Sequence, residues 1–351
     1  MGLALFLFCR GMSKSHVEVQ GVLHVHSHHS DGSGSVAEVL GAAQRAGVDF
    51  LVLTDHNTMR AKQEGWEGWH GSTLLIVGEE VSTRAGHCLA VGTSSSIPRR
   101  RPVEEVIRDI RAQGGLSFIA HPYGVYKPFL RRRDHSWKDW GVNSYTGLEV
   151  WSYMFDWARQ FKYYRWSECI RDPDRLIVGP DPQTLSRWDA LGRRARVVGI
   201  GGVDAHARRY PLLDVVIFPY EDLFRTVRTH VLLDGPLTGD AAADRSSILR
   251  ALGAGRCFAS YDHLSAGDGF CFSAPAQHLL MGDEAVFVHE LDLVVASPVP
   301  AAFRLIRDGL QYGEAEGRRH VFRADGPGVY RVEARLNGRP WIFANPIYLR
   351  G

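Results

Sequence analysis

Several things are scarce in this chain, and each scarcity excludes something. Five cysteines stand at 9, 88, 169, 257 and 271, an odd number, and no C-x-x-C occurs. A cysteine-ligated zinc module and a disulfide scaffold are therefore not expected, and a reducing, cytoplasmic setting fits. Net charge is nearly absent: 41 Lys and Arg against 39 Asp and Glu give +2. Nothing global calls for nucleic acid or a membrane surface. Long apolar runs are missing too. The one candidate targeting segment, "MGLALFLFCR", has an eight-residue apolar run, no basic n-region and no small-residue cleavage site, and is too short to span a bilayer. Phe6 also spoils the N-myristoylation pattern. Residues 1–16 read as a tail. Internal repeats and long low-complexity linkers are likewise absent.

What is present is an α/β rhythm. A chain of 351 residues, 45% hydrophobic, can bury one large core, or a large and a small one. "VEVQGVLHVH" reads as a strand, and "SVAEVLGAAQRAG" has helical apolar spacing and ends on a C-capping Gly47. "VDFLVLTDH" is a continuous apolar run of the kind found in buried parallel strands. "STLLIVGEEV", "HCLAVG", "LSFIAHP", "TGLEVW" and "RVVGIGGVDAH" continue the series, with helices at "PVEEVIRDIRAQGG" and "DPQTLSRWDALGRRA". The number of units favours a β/α barrel over an open sheet. The last hundred residues turn strand-rich: "GVYRVEARLNGRPWIFANPIYLR" alternates apolar and charged positions around an Asn337-Gly338 hairpin turn. The expected division is a barrel at 17–255 and a small antiparallel β-sandwich at 256–351.

Against this background the 16 histidines are anomalous, because they cluster. "HVHSHHSDGSG" places His24 and His26 two apart, a spacing that turns both to one face of a strand, roughly 6–7 Å apart at the backbone. Asp31 follows in the glycine-rich loop. His56, Glu80, His121, Asp204 and His206 each stand at or just past the end of an apolar β-run, and His87 opens one. In a parallel barrel the C-terminal strand ends meet at one mouth, where active sites are built. Six histidines and three carboxylates would hold two or three divalent ions and leave positions open for water and substrate. Imidazole and carboxylate without thiolate points to Zn, Mn or Fe. Three such ions against three carboxylates leave a formal charge of about +3, which suits an anionic, oxygen-rich substrate such as a phosphate ester.

These stretches ("HVHSHHSDGSG", "LTDHN", "GEEVS", "GHCLAVG", "AHP" and "GGVDAH") occur in order between about Val17 and Ala207, and together they closely resemble the PHP (polymerase and histidinol phosphatase) superfamily of metal-dependent phosphoesterases. The resemblance implies a distorted seven-stranded β/α barrel with a di- or trinuclear centre. It assigns His24, His26, Asp31, His56, Glu80, His87, His121, Asp204 and His206 as ligands, with Glu80, Asp204 and His206 the catalytic candidates. It prefers Glu80 to Glu79, which becomes a supporting or outward residue, and it leaves His28 and His29 exposed or lining the mouth. "RPWIFANPIYL" resembles, more weakly, the closing strand of a branch with a C-terminal β-sandwich.

The implied reaction is hydrolysis by a hydroxide bridging two ions, since coordination lowers the pKa of water. The substrate expected is a small phosphorylated molecule, nucleotide-like if one class is chosen. Arg84, Lys127 and Arg208 are the candidate phosphate clamps. Asp55 either orients a neighbour or caps its turn. The insertion at 123–145, with Arg131–Arg133, Trp137 and Trp140, is either a lid that stacks a nucleotide or a plain cover over the rim. The alternatives are a 5′-3′ exonuclease or phosphodiesterase on oligonucleotides, a hydrolase of non-phosphate esters or amides, and a non-catalytic metal-binding or interaction module.

Overall fold

A computed structural model of the chain describes residues 16–126, 133–210 and 215–351. Strand β1 (Val17–Val25) passes through helix α1 (Val36–Ala46) to β2 (Phe50–Leu53). Then come α2 (Arg60–Gln63), β3 (Gly68–His70), β4 (Thr73–Val77), β5 (Glu79–Ser82) and β6 (His87–Val91). α3 (Val103–Ala112) leads to β7 (Leu116–Ile119), followed by a short ladder of β8 (Val125–Tyr126) and β9 (Arg133–Asp134). β10 (Gly147–Ser152), α4 (Tyr153–Gln160), α5 (Trp166–Arg171), α6 (Pro182–Gly192) and β11 (Val198–Gly202) come next. A second short ladder, β12 (Arg208–Tyr210) and β13 (Val215–Ile217), precedes α7 (Tyr220–Leu223), β14 (Val227–Leu233), α8 (Ala241–Gly253) and β15 (Cys257–Tyr261).

Two sheets carry the site. One orders its strands β11-β10-β7-β6-β5; the larger runs through β15-β14-β1-β2-β4-β3. They meet at two isolated parallel bridges, Val25 with Ala205 and His56 with Glu80. Leu23, Phe50 and Ile76 from the larger sheet and Leu89, Phe118 and Ile200 from the other share one fully buried cluster. The all-parallel expectation fails at β6, which pairs antiparallel with both β5 and β7. Four residues, 83–86, separate the end of β5 from the start of β6, too few for a crossover, so the link is a hairpin. Reversal puts the first residue of β6, His87, beside the last residues of its neighbours.

The C-terminal region is β-rich, with β16 (Cys271–Ala274), β17 (Leu279–Leu280), β18 (Glu284–Val286), β19 (Leu291–Arg307), β20 (Leu310–Ala324), β21 (Gly328–Leu336), β22 (Arg339–Ala344) and β23 (Ile347–Arg350). β15 pairs with β14 on one side and β22 on the other, so one hydrogen-bonded ladder runs on across residue 255. Phe272, Leu293, Phe303, Tyr330, Trp341 and Ile342 form its core. The Asn337-Gly338 turn is a two-residue hairpin with both residues at positive φ. Two buried ties hold the region to the rest: Arg331 on Asp189 of α6 (2.6 and 2.8 Å), and Asn345, whose amide satisfies backbone groups of Gly199 and Cys257. Cys88, Cys169 and Cys257 are buried free thiols. Cys271 is disulfide-bonded. Among the described residues, no helix is long and apolar enough to cross a membrane.

Candidate metal centre

The end of β1 shows how the backbone builds the site. His24 sits at φ +65° and the β1–β2 register slips between Leu23 and Val25, so the two histidines converge through a local irregularity rather than by plain strand alternation. Asp204 (φ +53°) and His121 (φ +31°) also lie in the left-handed region. Each such non-glycine residue costs about 1–3 kcal/mol and persists only where surrounding structure over-determines it. Here the determinants are visible: His26 N–H donates to Ala205 O, Ala205 N–H to His24 O, and Val203 N–H to Leu23 O. β1 and the segment after β11 are thereby locked side by side.

All nine expected side chains are brought together. Glu80, fully buried at the start of β5, is the hub. Its Oε2 lies 3.2 Å from His24 Nε2, 3.3 Å from His26 Nε2 and 3.1 Å from His56 Nδ1. Its Oε1 lies 2.8 Å from His87 Nδ1 and 3.0 Å from His121 Nε2. Asp204 Oδ1 faces the same two nitrogens of His24 and His26 at 3.3 and 3.2 Å. Asp31 Oδ1 stands 3.0 Å from His206 Nε2 and 3.7 Å from His56 Nε2. Three groups of donors lie mutually within 4.8 Å: His24, His26, Glu80 and Asp204; His26, Asp31, His56 and His206; and His56, Glu80 and His87.

The ring nitrogens show that this set fits cations. His24 Nε2, both nitrogens of His26, His56 Nδ1 and His87 Nδ1 are buried without a geometrically sound hydrogen bond. Buried polar atoms left this way are rare in folded proteins. A fourth group of possible donors, Glu18, His230 and Asp268, makes an instructive contrast. There both ring nitrogens of His230 are satisfied, by Glu18 at 2.7 Å and Asp262 at 3.2 Å. Burial opposes the charge, but those carboxylates raise the His230 pKa to about 10. That group is a closed ion cluster; the main one is open. In the main set, burial would push His26 down, yet the Asp204 and Glu80 carboxylates beside it raise it to about 9. Burial would push Asp31 up, yet His206, His26 and His56 hold it down at about 2. The field is arranged for positive charge.

A supporting layer fixes these side chains, and much of it was not expected. Glu149 in β10 is buried; its Oε1 accepts from His24 Nδ1 at 2.9 Å and its Oε2 from His121 N–H at 2.6 Å. Its signal in the sequence was a lone acid inside the apolar run "GLEVW". Asp55 orients rather than caps: it accepts from Ser27 N–H and Oγ–H (both 2.7 Å) and from Ser30 Oγ–H (2.6 Å), pinning the loop that leads to Asp31. Glu79 is buried, not outward, and its carboxylate takes Ser96 Oγ–H at 2.6 Å and Ile97 N–H at 2.5 Å. Gly32 and Gly34 are needed for closeness rather than for a special φ. A Cβ would lie 2.2 Å from His26 O at Gly32 and 2.6 Å from the Tyr220 ring at Gly34.

The other candidates fall unevenly. Arg208 reaches the rim, 3.6 Å from Asp31 Oδ2. Arg84 is exposed and donates to Arg100 O on the loop between β6 and α3. Lys127, Arg131 and Arg132 lie outside the described residues, and the Arg133 side chain is not described either. His28 is exposed and His29 meets Glu64 at 3.2 Å. Trp137 is buried, and Trp140 is engaged by Tyr123 (5.6 Å between rings) and by Arg187 (4.6 Å), so the pair serves as anchors. His135, unmentioned by any expectation, stands beside His87 and His121. A cavity of about 450 Å³ adjoins His121 and Glu149, with Tyr123, Ser152, Phe155 and Gln183 in its walls.

No protein-family model matches the chain. It is 28% identical over 120 residues to an uncharacterized protein of Methanocaldococcus jannaschii, covering 29% of this chain and 66%, just under two thirds, of that protein. Among solved structures it is similar to a two-domain protein of Bacteroides vulgatus containing a predicted PHP-like metal-dependent phosphoesterase: 16% identity, TM-score 0.42, with 94% of this chain and 95% of that chain covered. It is also similar to a protein of Bifidobacterium adolescentis described as a metal-dependent phosphoesterase, at 16% identity and TM-score 0.36, over 58% of this chain and 94% of that one. A third likeness, at 16% identity and TM-score 0.35, is to an amidohydrolase of Chromobacterium violaceum with bound sulfate, over 56% of this chain and 89% of that one.

Proposed function

We propose that the chain is a PHP-type metal-dependent phosphoesterase, its strands from β1 to β11 closing as a distorted seven-stranded barrel, and that it hydrolyses a small phosphorylated molecule. The observation that carries this is the set of orphaned, buried imidazole nitrogens gathered around Glu80. Two or three Zn, Mn or Fe ions would be held by His24, His26, Glu80 and Asp204, by Asp31, His56 and His206, and by Glu80, His87 and His121. Bound there, they would supply Lewis acidity and lower the pKa of water. The chain's own residues do the positioning. Glu149 keeps Nδ1 of His24 protonated and Nε2 turned inward. Asp55 holds the Asp31 loop, and Arg208 adds positive charge at the rim where a phosphate would enter.

The test is chelation followed by add-back of Zn, Mn or Fe(II), assayed on a panel of phosphomonoesters alongside short single-stranded oligonucleotides and simple amides. Metal-dependent phosphate release supports the proposal. Strand cleavage alone would make the chain a nuclease, amide cleavage alone would move it to a different hydrolase class, and inactivity on every substrate would remove the enzymatic reading.

A further inference from the structure

The centre has a neighbour with no assigned role. His135 follows β9 on a segment stitched to the two loops that carry His121 and His87. Its N–H donates to Gly124 O at 2.8 Å, Trp137 N–H to Pro122 O at 2.8 Å, and Lys138 N–H to Ala85 O at 2.8 Å. Trp137 is buried against Gly86, where even a Cβ would come within 3.1 Å of the indole. The segment is therefore a fixed wall, not a loose flap. Along it the side chains alternate. Asp134 and Ser136 line the cavity of about 450 Å³, and the His135 ring packs among His87, His121 and Phe155.

There its ring lies 5.6 Å from that of His87 and 6.0 Å from that of His121. Neighbouring rings inside the centre are 4.3 to 6.4 Å apart, so His135 stands at the same spacing. Yet it belongs to none of the donor groups whose atoms lie within 4.8 Å of one another. The ring is half-buried, and its nitrogens make no hydrogen bond among the described residues. A half-buried imidazole with nothing to bond, one layer outside a cation-binding cluster, is placed to meet what the cations hold.

We propose that His135 is a substrate-binding residue whose ring N–H donates to an oxygen of the phosphoryl group carried at the Glu80–His87–His121 end of the centre. The proposal rests on the phosphoesterase reading above. A donor on a rigid wall adds orientation to a site whose cations would supply the charge.

The experiment uses the full chain with His135→Ala and His135→Asn, loaded with Zn or Mn. Three readouts are needed: bound metal per chain, the Kd of inorganic phosphate by calorimetry, and KM and kcat on whichever phosphomonoester the wild type hydrolyses. Metal content is expected to stay unchanged while the phosphate Kd and KM rise about tenfold in His135→Ala, the effect of one hydrogen bond to a charged oxygen. His135→Asn, which keeps an N–H donor, should recover part of the loss. Phosphate affinity within twofold of wild type in both folded variants would overturn the proposal, and so would loss of a bound ion, which would make His135 a ligand. If wild-type protein itself neither binds phosphate nor releases it from any ester, the phosphoesterase reading has failed, and His135 is then not a phosphoryl-binding residue.

Discussion

Replacing Glu149 by glutamine changes no volume and removes one charge, yet the structure gives it a large expected effect. The carboxylate accepts two bonds at once, from His24 Nδ1 at 2.9 Å and His121 N–H at 2.6 Å, in a fully buried setting. Glutamine offers one acceptor and one donor. Whichever way its amide turns, a donor faces a donor. If the NH2 faces His121, a buried backbone N–H is orphaned. If it faces His24, the imidazole proton must move to Nε2, the atom that points at Glu80 and Asp204 and that a cation would need. Loss of one charge-assisted buried bond costs about 1.5–3 kcal/mol, and a supporting group of this kind is typically worth about 10- to 100-fold in metal affinity. The assay is competition with a chromophoric chelator on folded Glu149→Gln, with circular dichroism to confirm the fold. Affinity within twofold of wild type would refute the argument that Glu149 sets the His24 tautomer.

Three further predictions follow from single contacts. Gly202→Ala would place a Cβ 2.1 Å from Glu149 Oε1 and 3.0 Å from His24 Cβ, so it should lower metal affinity and cost about 1–3 kcal/mol in overpacking, read by urea unfolding; a neutral substitution would contradict the close packing of Glu149 on Gly202. Asp55→Ala frees Ser27 and Ser30 from three bonds and should destabilise the chain by about 2 kcal/mol or more, again by urea unfolding. His230, raised to about 10 in the folded chain by Asp262 and Glu18 against the opposing effect of burial, contributes stability that is full below pH 6.5 and is lost as pH rises through about 10. The stability advantage of wild type over His230→Gln should therefore shrink between pH 6.5 and pH 10, and an advantage constant with pH would contradict that pairing.

The sequence showed the site's membership better than its construction. Apolar runs ending in His, Asp or Glu mark strand ends, and strand ends of neighbouring segments meet, so the sequence alone places His24, His26, His56, Glu80 and Asp204 together. Chain direction is a different matter. Nothing in "HCLAVG" says that β6 runs backwards; only the shortness of its link to β5 carries that information. The left-handed backbone at His24 and Asp204 was also hidden, because it is imposed by cross-strand bonds between segments some 180 residues apart rather than by local propensity. Glu149 and His135 escaped for related reasons. One sits inside a strand, where an acid looks like an anomaly of burial, and the other lies in an insertion whose path depends on Trp137 docking against Gly86. At the other end of the chain, alternation in "GVYRVEARLNGRPWIFA" was enough to foresee β21, β22 and their turn. The continuity of the ladder through β15 was not foreseen, since a strand's partners on its two edges leave no mark on its own pattern.

The central claim is that the side chains around Glu80 hold divalent cations, and metal counting on purified, metal-loaded protein tests it most directly. Wild type should bind two or three ions of Zn, Mn or Fe per chain. The His24→Ala, His26→Ala double variant should lose most of that binding while keeping its circular dichroism spectrum. Less than one ion per chain in wild type, or equal metal content in the folded double variant, would contradict the account.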